Sequence, residues 1–516
     1  MKRILALGAI AAMLTGCTAS SAGTPDSSDG TIQIVLNQDS VTVSGETAGT
    51  DAGAAVYVGN DIVYYEDRDT YDSGNAYGEG TASDRHTAEE AAANTVVYIT
   101  EPGTYRLSGT LHGQIRVDLG EEAPEDPEAV ATLIFEGADI TCDVAPAVVF
   151  ANVYECDKEW SAETASAEVD TSAAGANVII ADGTVNNITG SHIARIYKDT
   201  DEQKKLVKQD AAFYSCMSMN ISGGETGDGV LNVTADNEGI DTELHLTING
   251  GVINIRSQDD GINTNEDGVS VTAINGGEVH IISCLGSEGD GIDSNGWLVI
   301  NGGTVIACAN PAADSGLDSD MGSYINGGTV LALGSAMDWA ESDSEAVTMN
   351  LQFASYEDAN EAIQVTDLDG NVIFEYDPAD DDVLGNNARR YMGAIISCPS
   401  FEVAKTYHVY VGGRMQAFTG SDIGNRPGGM FPRPDNGEMP GGMNGESERP
   451  EPPDGQFQRP ENGEIPGGMN GEPERPELPD GQGEFPGQNI EGEPNTEFLM
   501  NDKVNAFSGV FDFEES

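Results

Sequence analysis

The sequence predicts an all-β protein built on a parallel β-helix with a small C-terminal β module, and three observations point there. First, Asn-Gly-Gly recurs at Asn249-Gly250-Gly251, Asn275-Gly276-Gly277, Asn301-Gly302-Gly303 and Asn326-Gly327-Gly328, at spacings of 26, 26 and 25 residues. A weaker copy, Ser222-Gly223-Gly224, precedes the first by 27. Second, each copy is followed by a short alternating apolar run: Val252/Ile253/Ile255, Val279/Ile281, Val305/Ala307 and Val330/Ala332. Third, a Gly-Ile/Leu-Asp/Asn punctuation falls between the runs, at Gly239-Ile240-Asp241, Gly261-Ile262-Asn263, Gly291-Ile292-Asp293 and Gly316-Leu317-Asp318. A fixed period in the twenties with β-branched segments and glycine corners marks a solenoid with one coil per repeat. The runs are too short for helices.

Composition narrows the function. The chain of 516 residues carries 88 Asp and Glu against 23 Lys and Arg, a net charge of -65. That excludes nucleic acid, which needs a basic footprint. An anionic ligand would need a bridging cation.

In chain order, residues 1–17 read as a signal peptide, with Lys2 and Arg3 ahead of an apolar stretch over 4–14 that is too short to span a bilayer. Leu14-Thr15-Gly16-Cys17 resembles the bacterial lipobox, which implies lipidation of Cys17, membrane attachment through that lipid and a place on the extracellular face of the cell envelope. Residues 18–94 hold a Ser/Gly-rich tether, β segments at 32–36, 41–43 and 56–58, and a polar insertion at 66–94. Strand patterns then recur at 96–99, 105–109, 114–119, 132–135, 147–150 and 177–180, so the solenoid is placed at 95–340. The lysines of 198–211 suggest a surface loop or short helix. The C-terminal module is assigned to 341–422 plus 497–516, with Asp369-Gly370 marking a hairpin. Between these, 423–496 is Pro/Gly/Glu-rich with nothing to bury, and is expected to be disordered. The scatter of the six cysteines after Cys17, without a CxxC, argues against a thiolate metal site and leaves disulfide pairing open.

The repeat also carries chemistry. Residues 221–340 hold eighteen Asp and Glu, one Arg (Arg256) and no Lys. Stacked coils would bring equivalent carboxylates about 4.8 Å apart, and two carboxylates at about 5 Å repel by roughly 3 kcal/mol at an effective dielectric near 20. A few such pairs would cancel the stability of a domain. A hard cation with oxygen ligands, Ca²⁺, resolves this. The candidate ligands are Asp236, Glu238, Asp241, Asp259, Asp260, Asn263, Asp290, Asp293, Asp314 and Asp318, for several ions; the competing reading puts these acids on solvated turns. The Asn of each Asn-Gly-Gly is expected to hydrogen-bond along its column and to ligate nothing.

Glu101-Pro102-Gly103-Thr104-Tyr105-Arg106-Leu107-Ser108-Gly109-Thr110 resembles the opening strand of the bacterial carbohydrate-binding domain-containing lipoproteins. Asp260-Gly261-Ile262-Asn263, Asp290-Gly291-Ile292-Asp293 and the Asn-Gly-Gly series resemble that family's calcium-lined coils. The likeness covers roughly 95–420 plus 497–512, departing at 66–94 and 198–211. It implies a right-handed parallel β-helix related in shape to family 9 pectate lyases, several Ca²⁺ ions, and binding of plant-type polysaccharides such as cellulose or polygalacturonate.

The expected function is therefore calcium-dependent polysaccharide binding at the cell surface, without catalysis. A pectate-lyase-like enzyme and a structural envelope adhesin are the alternatives. Uronate elimination needs a base near neutral pKa, and the repeat offers only Arg256, His245 and His280, the two histidines reading more readily as structural. Tyr324, Trp297 and Trp339 are candidate sugar platforms, or else packing residues.

Overall fold

A computed structural model describes residues 30–37, 40–63, 86–158, 161–193, 196–199, 204–207, 209–283, 285–286, 289–312, 314–381, 390–421 and 493–513. The signal peptide, Cys17, most of the tether and insertion, and residues 422–492 lie outside these.

Alternation of apolar and polar residues sends every second side chain inward, and the strands stack in parallel register to enclose the apolar set. The result is a parallel β-helix with three sheets. The first sheet runs from Ile32–Leu36 through 103–109, 131–135, Ala176–Ile180, Met219–Gly223, Leu246–Ile248, Val271–Ile274 and Trp297–Ile300 to Gly322–Ile325. The second runs from 109–112 and 138–141 through Val185–Gly190, Val230–Ala235, Val252–Arg256, Glu278–Ile282 and Thr304–Cys308 to Thr329–Gly334. The third stacks Thr95–Ile99, 113–117, Val148–Asn152, Ala211–Ser215, Glu238–Thr242, Ile262–Thr264 and Ile292–Ser294. One strand, Gly103–Asp118, serves all three sheets. The first rung precedes residue 95, because Ile32–Leu36 already pairs in parallel with 105–109. Val56–Gly59 pairs antiparallel with Thr95–Ile99 and closes that end of the third sheet.

Both repeated motifs are explained by the stack. Asn-Gly-Gly turns the corner between the first and second sheets, and its last glycine takes φ of +93°, +88°, +80° and +83° at Gly251, Gly277, Gly303 and Gly328. The Asn side chains form the expected ladder: Asn275 donates to Asn249 at 3.0 Å, Asn301 to Asn275 at 2.9 Å and Asn326 to Asn301 at 3.0 Å. The glycine of Gly-Ile-Asp answers to space. A Cβ on Gly239 would lie 2.4 Å from both the Gly261 carbonyl oxygen and Ile255 Cγ2.

Two segments differ from expectation. Ile196–Asp199 and Lys204–Val207 form an antiparallel pair instead of a loop or helix, so their backbone groups satisfy each other. A capped helical turn, Ala88–Ala92, lies inside the expected insertion, its Thr87 and Glu90 forming a reciprocal capping box. Among the described residues no cysteine is in a disulfide, and Cys142, Cys308 and Cys398 are buried.

After the last coil the pairing turns antiparallel. Arg390–Ser397 lies against both Thr329–Gly334 and Thr348–Asp358, so it ends the second sheet. Ile363–Asp367 and Val372–Tyr376 make the hairpin around Gly370. Phe498–Leu499 and Val504–Asp512 return to pair with Thr406–Val411, Arg414–Ala417 and Thr348–Asp358. This module has its own core, which shares Ile282, Cys308, Leu331 and Leu333 with the outer face of the second sheet.

Candidate metal centre

The register of the third sheet decides which acids meet. Asp241, Asn263 and Asp293 are aligned partners on successive strands, and Asp318 continues the row through its hydrogen bonds to Ile292 and Ser294. The residues before the stacked glycines form a second row: Glu238, Asp260, Asp290 and Ser315. Beside it, Asp259 and Asp314 occupy the position one residue earlier on their coils. The strand alternation that sends Ile240, Ile262 and Ile292 inward turns Asp241, Asn263 and Asp293 to the other face.

Burial is deep for exposed-face positions. Asp241 is fully buried, and Asn263 and Glu238 are 2 % and 4 % exposed. Asn263 donates to Glu238 at 2.9 Å and Asn265 to Asp241 at 2.6 Å. The Asp260 carboxylate accepts the Asp290 N–H at 2.6 Å, and that of Asp290 accepts the Ser315 N–H at 2.5 Å. Burial, then the carboxylates of Asp293, Asp290, Glu238 and Asp259, hold the Asp260 carboxyl well above its usual range. Burial together with Asp318 and Asp293 does the same at Asp290, and burial with Asp320 raises Asp318. The charges acting between these groups are all of one sign. Like charges brought together and buried in this way each disfavour the ionised form of the others.

A tight cluster stands at one end. Ligand oxygens of Asp210, Glu238 and Asp241 all lie within 4.8 Å of one another, and the three residues are buried. Oδ1 of Asp210, of Asn263 and of Asn265 is buried without a hydrogen-bond partner among the described residues. Carboxylate and amide oxygens, with no thiolate or imidazole, make a hard donor set that fits Ca²⁺. The residues present therefore fit the ion.

Not every expected ligand joins. Asp236 sits on an outward, exposed position and reaches back to the preceding coil, accepting from Ser191 at 2.6 Å and lying 3.2 Å from His192 Nδ1. Asp210 was missed because its coil lacks the signal, carrying Ala212-Phe213-Tyr214 where later coils carry Gly-Ile-Asp.

The other candidates resolve as packing residues, with one exception. Trp297 and Trp339 are 8 % and 6 % exposed. His245 is 1 % exposed; its Nδ1 accepts the Val271 N–H at 3.0 Å, which leaves Nε2 to donate to Asp157 at 3.2 Å. Burial lowers its pKa. His280 Nδ1 lies 3.2 Å from the buried Asp381 carboxylate. Tyr324 is half-buried and lines a groove of about 960 Å³ on the first sheet.

Residues 93–166 and 160–393 match the model of the carbohydrate-binding domain-containing protein family. The chain belongs to that family. Membership makes a carbohydrate the partner of this domain. No curated protein matches the sequence. A solved structure described as a polysaccharide lyase-like protein from C. thermocellum, a gadolinium derivative, aligns over 58 % of this chain and 92 % of that one at 22 % identity. Its TM-score of 0.32 is too low for fold or activity to be carried over.

Proposed function

We propose that this chain is a surface-anchored, Ca²⁺-dependent polysaccharide-binding protein that does not cleave its ligand. The observation that carries the calcium is the buried seam of stacked carboxylates, at one end of which ligand oxygens of Asp210, Glu238 and Asp241 lie within 4.8 Å of one another. Asp210, Glu238, Asp241 and Asn263 would hold one ion. Asp260, Asp290 and Asp293 would hold a second, and Asp314 with Asp318 would extend the row. When bound, Ca²⁺ supplies positive charge between coils and coordination positions that a uronate oxygen can enter.

The same seam supports binding without elimination. A base for uronate elimination must stand beside the cation. His245 is buried and occupied at both nitrogens, and His280 lies on the second sheet against Asp381. Arg256 ends a strand of the second sheet. Anchoring through a lipid on Cys17, on the extracellular face of the envelope, is part of the same proposal and rests on the Leu-Thr-Gly-Cys motif.

The test is to incubate purified protein with Ca²⁺ and polygalacturonate, and separately with cellulose. Pull-down of the uronate that EDTA abolishes, with no rise in unsaturated-product absorbance or reducing ends, is the expected result. A steady rise in either signal would establish the enzyme and overturn this reading.

A further inference from the structure

The groove on the first sheet lies on a different face from the carboxylate seam and has a construction of its own. Thr247, Ala273, Val299 and Tyr324 are aligned partners on successive strands, so they form one column along its floor. Two residues further along each strand the asparagine ladder forms a second, parallel column on the same face. The opposite wall is the segment 161–172, which folds across the sheet. That wall is pinned where the Thr171 hydroxyl donates to the Asn220 side-chain oxygen and accepts from the Thr247 hydroxyl, each at 2.7 Å, while the Thr171 carbonyl accepts from the Asn220 amide at 2.8 Å. Further along, its Ala165, Ala167 and Val169 pack on Val271, Trp297 and Val299.

The chemistry alternates across the groove and repeats along it. The floor offers Ala273 and the Tyr324 ring to the apolar face of a ligand, with the buried Val299 between them. An amide has two N–H donors and an acceptor oxygen with two lone pairs. Each inner rung of the ladder spends one donor and one lone pair on its neighbours, which leaves one of each to face outward. These unspent groups recur at the coil spacing of about 4.8 Å, close to the rise of one sugar residue in an extended pyranose chain. A ligand with an apolar ring face and hydroxyls at each repeat matches both columns at once. The charged residues of the lining are Glu168 and Asp170, both exposed on the wall, with no Lys or Arg to receive an anionic polymer.

We infer that this groove is a polysaccharide subsite that seats an uncharged glycan lengthwise along the solenoid, with its sugar faces on Ala273 and the Tyr324 ring and its hydroxyls on the asparagine ladder. The inference rests on the polysaccharide-binding reading and gives that reading a second site, independent of the cation seam. Aromatic floors with lateral hydrogen-bonding groups are how concave sites combine affinity with orientation.

The experiment is affinity electrophoresis of the full chain through gels containing soluble hydroxyethylcellulose or polygalacturonate, with and without EDTA. Three variants are compared: Tyr324→Ala removes the floor's ring, Ala273→Phe fills the groove from below, and Asp290→Asn alters only the seam. A single cooperative melting transition and an unchanged far-UV circular dichroism spectrum in each variant confirm that the fold is kept. The expected result is at least a tenfold loss of retardation by the neutral glucan in both groove variants, with polygalacturonate retardation intact, and the reverse for Asp290→Asn. Neutral-glucan retardation unchanged in both groove variants overturns the subsite while leaving the broader function standing. No retardation of the unmodified protein by either polymer overturns the polysaccharide-binding reading itself, and the subsite with it.

Discussion

Asp260 and Asp290 stand on consecutive coils with the carboxylate of one accepting the backbone N–H of the other at 2.6 Å. The bond fixes the Asp260 carboxylate against the next coil, and the same arrangement recurs from Asp290 to Ser315 at 2.5 Å. Backbone donors thus orient a line of acids whose remaining oxygens face one another. A single backbone bond per carboxylate does not offset several buried neighbours of like charge.

Calcium removal is the direct consequence. An ion held at 100 times its dissociation constant contributes about 2.7 kcal/mol per site, so EDTA at neutral pH should lower the melting temperature by many degrees. Asp290→Asn should act in opposite directions in the two states. With the chelator it relieves repulsion and raises the melting temperature; with Ca²⁺ it removes a ligand and lowers it. Differential scanning calorimetry with and without EDTA checks this, and a change of the same sign in both states would refute the seam.

Which parts of this arrangement the sequence revealed follows from what repeats. Gly-Ile-Asp and Asn-Gly-Gly were legible because each coil imposes the same demand: no room for a Cβ at Gly239, and positive φ at Gly251. Asp210 was hidden because its coil meets the space with Ala212 and Phe213 instead of Gly and Ile. Asp236 was over-read, since closeness to Glu238 in sequence says nothing of the coil its side chain reaches. The burial of Trp297 beneath 161–172 was invisible for a related reason, because that wall crosses from four coils earlier and carries no period of its own.

The ladder sets a smaller energetic scale. Asn275 makes two exposed side-chain bonds, one given to Asn249 and one taken from Asn301. At about 0.5–1.5 kcal/mol per hydrogen bond, Asn275→Ala should cost about 1–3 kcal/mol in urea unfolding. A cost below a few tenths would mean that the ladder is decorative and the glycines alone hold the corner.

In the C-terminal module one arginine faces three acids. Arg414 meets Glu361 at 2.5 Å and Asp512 at 2.7 Å, and reaches Glu357 only at 3.7 Å. Burial, with Asp512 adding to it and Arg414 opposing, pushes the Glu357 carboxyl from its ordinary 4.5 up to about 7. Because the folded value is the higher one, the folded state holds the proton more tightly. Stability is then greatest below the unfolded value and is lost as pH rises from about 4.5 toward 7. Glu357→Gln should therefore raise the melting temperature at pH 8 and do so much less at pH 5. Parallel pH profiles for the variant and the parent would rule this out.

The chain on either side of residues 422–492 is already joined. Phe418 and Asn495 exchange two backbone hydrogen bonds of 3.0 Å, so the ends of the intervening segment are held side by side. Beyond that bridge Phe498 is fully buried, with its ring 4.7 Å from Phe418 and 5.0 Å from Phe507. Two opposite outcomes follow. Replacing 422–492 by a linker of about six residues removes some three and a half doublings of loop length, worth about 0.6 kcal/mol each, so the shortened protein should be as stable as the parent or about 2 kcal/mol more so. Phe498→Ala should cost about 3–5 kcal/mol, the usual penalty for emptying a packed aromatic site, and truncation at 496 should cost more, because it also strips Val504–Asp512 from its pairing with Thr348–Asp358. Chemical denaturation of the three variants decides the matter. If excising the segment destabilised the module as much as losing Phe498 does, the segment itself would be part of the fold's support.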